Sequence, residues 1–270
     1  MHEHLEDVAW FYAASLLYLK RMGVNVAIHT DSVGARLLDG LPYDDVRLTL
    51  DAIPSDFPEC FWAASKFFAL KEEPLGSVHI DGDVFIKTEE CLERMQTRCD
   101  LIVQCSEALY CIDHAYLAPR RLLERAGFGR LKYPSAFNCG VVGINNQRLK
   151  DMYLNAYFTA VGKVQELIAT EGDKLTAADL NIIPDLVAEQ QLLYNLVKTG
   201  GFSYATVLAG ASWEDHKKNA TDIGFLHIIT RRKFERTDDV KRIVKRLDAD
   251  AYRRIERNIE LYNQEKTIEK

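Results

Sequence analysis

The chain has 270 residues, 47% apolar and 27% charged, with a formal charge of −6. That composition excludes disordered, collagen-like and coiled-coil chains and supports a well-buried core. The negative balance argues against general binding to nucleic acid or anionic membranes, although residues 231–270 hold 13 basic against 9 acidic side chains, which reads as a solvated helical face.

Residues 3–22 carry apolar positions at helical spacing and end at Gly23, which predicts a first helix. A short apolar strand follows over 24–30, closed by Asp31 and Ser32. Ser32 suits the cap of a helix reaching Leu38. A second strand is expected over 46–50 and a helix over 61–70. Pro74-Leu75-Gly76 then turns the chain into a strand over 77–80, which runs into Asp81-Gly82-Asp83. Further strands are predicted over 100–105, 137–145, 202–208 and 223–229. Helices are predicted over 147–170, 186–198 and the last 35 residues. Strands separated by helices predict an α/β fold: one domain with a mostly parallel central sheet, helices on both faces and a helical C-terminal tail. Ligands in such sheets bind beyond the carboxyl ends of the strands.

No apolar run reaches 18 residues, so no transmembrane helix is expected. The acidic N-terminus lacks the basic start of a signal peptide. Cys60, Cys91, Cys99, Cys105, Cys111 and Cys139 form no C-x-x-C pair. A reduced, cytoplasmic protein is the expectation.

Asp81-Gly82-Asp83 is the sharpest chemical feature. Two carboxylates at the end of an apolar strand, with a glycine between them for close backbone turning, suit Mg²⁺ or Mn²⁺, whose remaining coordination is completed by phosphates and water. Without a metal the same residues form a capped turn. Asn138-Cys139-Gly140 places a hydrogen-bonding amide in a strand, where the plainer reading is a bulge. His227 lies six residues before Lys233. It reads either as a core histidine or as a metal ligand beside a cation that neutralises phosphate. Glu189 and Gln190 fall on a predicted helix, and Lys66 on the helix before the acidic pair.

In this order, Lys66, Asp81-Gly82-Asp83, Asn138-x-Gly140, Glu189-Gln190 and His227-x₅-Lys233, the chain resembles GT-A-type nucleotide-sugar glycosyltransferases. The glycogenin and bacterial galactosyltransferase group is the nearest analogy, over roughly residues 24–235. The resemblance implies a GT-A-like domain over 1–235 and a helical extension over 236–270. It implies Asp81, Asp83 and His227 as ligands of Mn²⁺ or Mg²⁺. Asn138, Gly140, Glu189 and Gln190 would line the sugar pocket, the last two supporting catalysis. Lys233 and Lys66 would approach the diphosphate, and Asp31 the ribose or base. The implied partners are a nucleotide-sugar donor and a sugar or glycan acceptor, with a homo-oligomer contact on the amphipathic tail. The chain departs from that group in three places. Glu189 stands where the group has Asp, Thr230 where it has Gly, and no strand is predicted ahead of the first helix.

Two other readings fit parts of the pattern. One is a non-catalytic sugar- or nucleotide-binding protein of the same fold. The other is a phosphohydrolase of the haloacid-dehalogenase type, with Asp81 as nucleophile, Asp83 as general acid and Asp238-Asp239 as the later acidic pair that motif requires.

Overall fold

The structure, a computed structural model, describes residues 4–107, 116–172, 184–229 and 231–268. In chain order the elements are α1 (Leu5–Arg21), β1 (Ala27–His29), α2 (Ser32–Leu37), β2 (Asp45–Arg47), α3 (Ala64–Glu72), β3 (Val78–Ile80), β4 (Val84–Ile86), α4 (Glu89–Arg94) and β5 (Leu101–Glu107). They continue with α5 (Leu117–Arg125), β6 (Ala136–Ile144), α6 (Gln147–Glu171), a π-helical turn (Leu186–Gln191), α7 (Leu192–Gly200) and β7 (Tyr204–Thr206). The last are α8 (Trp213–Asp222), β8 (Phe225–His227), a 3₁₀ turn (Arg231–Arg236), α9 (Thr237–Leu247) and α10 (Ala249–Ile268). The chain divides into two compact units. The first joins Met1–Ala52, Asp81–Leu92 and Thr221–Lys270, and the second joins Ile53–Ile80 and Glu93–Ala220.

The first unit is built on α1. Acidic Glu6 and Asp7 open this helix, and basic Lys20 and Arg21 close it, each sign matching the helix dipole. Gly23 then takes φ +71°, and the Val24 N–H reaches back to the Leu19 carbonyl, a Schellman end that only a residue tolerant of the left-handed region forms cheaply. The apolar face of α1 (Trp10, Phe11, Ala14, Leu17) buries against Val240 and Val244 of α9, Ala251 and Ile255 of α10, and Phe85 of β4. The amphipathic tail foreseen from sequence therefore spends its apolar face inside this unit. Strands β1 and β2 pair in parallel, from Ala27↔Asp45 to His29↔Arg47, with α2 as the crossover. Strands β4 and β8 pair antiparallel.

The second unit holds a four-stranded sheet in the order β3-β6-β5-β7. Strand β6 lies within it, and all nine of its residues are buried. This explains why its sequence shows no period-two alternation. Its Phe137, Cys139 and Val142 join a core with Phe67 of α3, Tyr153, Tyr157 and Val161 of α6, and Leu193 and Val197 of α7.

The α/β expectation holds, but the mostly parallel sheet does not. Strand β6 is antiparallel to both β3 and β5, and only β5–β7 runs parallel in this sheet. Alternation of apolar runs records where elements lie, not the direction in which the chain re-enters a sheet. Among the described residues no strand precedes α1, and no helix is long and apolar enough to cross a membrane. The described cysteines, Cys60, Cys91, Cys99, Cys105 and Cys139, are free thiols, while Cys111 lies outside the described residues.

Phe67 is fully buried and stacks face to face on Tyr157. Phe67→Ala is expected to cost about 3–5 kcal/mol, read as a lower midpoint in urea denaturation.

Candidate metal centre and a buried polar network

Residues 81–83 form the turn into β4, closed by the Val84 N–H donating to the Asp81 carbonyl (2.9 Å). The β4–β8 register sets Val84 opposite His227, and the Ile228 N–H donates to the Asp83 carbonyl (3.1 Å). Backbone pairing therefore brings the acidic turn and the histidine together. One donor atom from each of Asp81, Asp83 and His227 lies within 4.8 Å of the other two. The Asp83 Oδ1 is 3.4 Å from His227 Nε2, and its Oδ2 is 2.8 Å from Lys233 Nζ. Asp83 is 13% exposed and His227 10%.

The turn rests on α1. The Ser15 hydroxyl donates to the Val84 carbonyl (2.8 Å), and Phe85 packs near Phe11 and Tyr18. A Cβ placed on Gly82 would stand 2.8 Å from the Tyr12 ring, so any other residue at the centre of the motif requires that ring or the turn to shift. Lys233 is carried by the 3₁₀ turn. Its neighbour Phe234 stacks on His4 (4.1 Å between centroids) and meets Phe11 edge-on. The Thr237 hydroxyl ties the Phe234 carbonyl (2.8 Å).

Burial pushes the Asp83 carboxyl up, but the His227 hydrogen bond and the charge of Lys233 outweigh it, and the net shift is downward. Asp83 is thus an anion at neutral pH. Two carboxylates and one imidazole are a fitting donor set for a divalent cation.

In the second unit, the Lys66 ammonium is 7% exposed and donates to Glu189 Oε1 (2.5 Å) and to the Cys139 carbonyl (2.7 Å). The Tyr153 hydroxyl donates to the Glu189 carbonyl (3.1 Å). Fully buried Asp185 accepts the Ala63 N–H (2.7 Å) and the Tyr157 hydroxyl (3.1 Å). Burial pushes Asp185 up to about 8. The Ala63 hydrogen bond opposes this, and the nearby Glu189 charge adds to it.

The π-helical turn sends three successive side chains to three partners: Glu189 to Lys66, Gln190 to Tyr116 (2.6 Å) and Gln191 to Arg120 (2.7 Å). The Tyr116 hydroxyl is also 2.8 Å from Glu107 Oε2. Asn138 donates to Glu107 Oε1 (3.0 Å) and accepts the Gly140 N–H (3.1 Å).

The residues read from sequence therefore gather in two places. Asp81, Asp83, His227 and Lys233 meet in the first unit. Lys66 meets Glu189 in the second, and Asn138 and Gln190 share the Glu107–Tyr116 pair there. Asp31 caps α2, accepting the Gly34 N–H (2.6 Å). Thr230 lies outside the described residues. Asp238 and Asp239 open α9 and pair with Lys241 and Arg242, three residues on. Sequence reasoning passed over Glu107, Tyr116 and Asp185. Glu107 ends an apolar strand, as Asp81 does, and that position was the available signal. Asp185 follows Pro184, and Tyr116 carries no signal of its own.

Residues 2–258 match the sequence model of a family of unknown function, DUF6734, and the chain belongs to that family. No curated protein and no solved structure matches the chain.

Removing one member of a buried ion pair leaves the other uncompensated. Lys66→Met is expected to cost about 3–5 kcal/mol in chemical denaturation, and the added change Glu189→Leu to recover much of that loss. Asp185 has a folded-state pKa above its ordinary value of 3.8, so the folded chain holds the proton more tightly than the unfolded one. Its contribution is full at acid pH and is lost as pH rises toward about 8. Asp185→Asn should flatten that fall when the urea midpoint is followed against pH.

Proposed function

We propose that the chain is a divalent-metal-dependent glycosyltransferase that moves a sugar from a nucleoside-diphosphate sugar to an acceptor hydroxyl. The observation that carries the reading is the convergence of Asp81, Asp83 and His227, with the Lys233 ammonium on Asp83. The resemblance to GT-A glycosyltransferases supports it, since these four positions are among those that carry the likeness.

Asp81, Asp83 and His227 would hold Mn²⁺ or Mg²⁺. A mixed oxygen and nitrogen donor set favours Mn²⁺, because Mg²⁺ keeps to oxygen. When bound, the cation supplies charge stabilisation to the departing diphosphate. Lys233 adds a positive charge where negative charge develops. As the sugar C1–O bond breaks, its electron pair passes to the diphosphate oxygen, and the acceptor hydroxyl oxygen bonds to C1 as its proton passes to the departing diphosphate or to water. The acidic pair at Asp238 and Asp239, which a haloacid-dehalogenase mechanism would need, is engaged by surface cations on its own helix.

Asp81→Asn and Asp83→Asn should each lower Mn²⁺-dependent release of nucleoside diphosphate from a panel of nucleotide sugars by about 10²–10³. Circular dichroism of the fold should not change. Full turnover in both variants overturns the reading.

A further inference from the structure

Both oxygens of Asp83 are engaged by neighbours: Oδ1 faces His227 Nε2 at 3.4 Å and Oδ2 faces Lys233 Nζ at 2.8 Å. A cation held by Asp81, Asp83 and His227 would stand beside that ammonium. Like charges at such separation repel, and the low exposure of Asp83 leaves little water to screen them. We propose that Lys233 competes with the divalent cation for Asp83. Cation binding then frees the ammonium for an anionic ligand, so the cation and a diphosphate favour each other's binding. The proposal rests on the metal-centre reading above and adds a competition to it.

Three features make the exchange possible. The turn that carries Lys233 is pinned through Phe234, between His4 and Phe11, so the backbone holds its place while the side chain moves. The lysine stem is flexible, and its head is a compact charge with three rotatable donors. The ammonium already lies 5.6 Å from the Phe234 ring while it is paired with Asp83, a contact it can keep as the carboxylate is given up.

An anion coordinated to the cation gives the released ammonium a stronger partner than the carboxylate it left. Lys233 therefore opposes the cation alone and favours the cation with its anion. By linkage the two ligands bind cooperatively, and the coupling passes through one side chain.

The test is Mn²⁺ binding to the full chain at low ionic strength, followed by the free Mn²⁺ spin-resonance signal. Inorganic pyrophosphate is then titrated at saturating Mn²⁺. Lys233→Met removes the charge and keeps the stem, and Lys233→Gln serves as a second neutral variant should the first not fold. The neutral variant is expected to bind Mn²⁺ alone roughly tenfold more tightly than the natural chain, and pyrophosphate roughly tenfold more weakly. Lys233→Arg should follow the natural chain in the first titration. If the natural chain binds Mn²⁺, Asp83→Asn does not, and the neutral variant binds it no more tightly, competition is disproved while the metal centre stands. If the natural chain and Asp83→Asn take up Mn²⁺ alike, the metal centre falls, and this proposal with it.

Discussion

Two three-residue strands govern the candidate site. Strand β4 follows the acidic turn directly and β8 ends in His227, and their register leaves almost no freedom in where those groups meet. Lys233 and Asp83 are 150 positions apart in the chain, yet only five residues separate Lys233 from the end of β8. Strand pairing of this length is weak by itself. Its persistence depends on α1, which buries Phe85 of β4 and receives the apolar faces of α9 and α10. The helical tail thus serves the site at one remove, by holding the helix on which the acidic turn rests.

The second unit solves a different problem, that of charge inside a core. Lys66, Glu189 and Asp185 are each less than a tenth exposed, and the deficit of one positive charge is met by a raised Asp185 pKa. Tyr153 and Tyr157 donate into the same cluster from α6. Successive side chains leave a helix about 100° apart, so Glu189, Gln190 and Gln191 reach three different partners from one turn.

Much of the first unit's site was legible. A pair of carboxylates flanking a glycine at a strand end points to a cation, and the structure adds His227 to them through strand pairing. The spacing to Lys233 was visible too, although its partner was not, because nothing in a sequence reveals which of two carboxylates an ammonium will meet. Strand β4 went unseen since Val84–Ile86 is three residues long, below the length at which periodicity speaks. Strand directions were illegible for a related reason: β6 reads the same whether its neighbours run with it or against it. Asp185 shows the converse limit. A buried aspartate following a proline looks like a turn residue until the groups around it are placed.

The contact between Gly82 and Tyr12 ties two distant positions into one unit of variation. A side chain at position 82 and a full aromatic ring at position 12 exclude each other in this packing. Related chains that change one should change the other, with a smaller residue on the helix wherever the acidic turn gains a Cβ. The acidic motif is therefore better described as four residues than as three, with the fourth lying on the first helix.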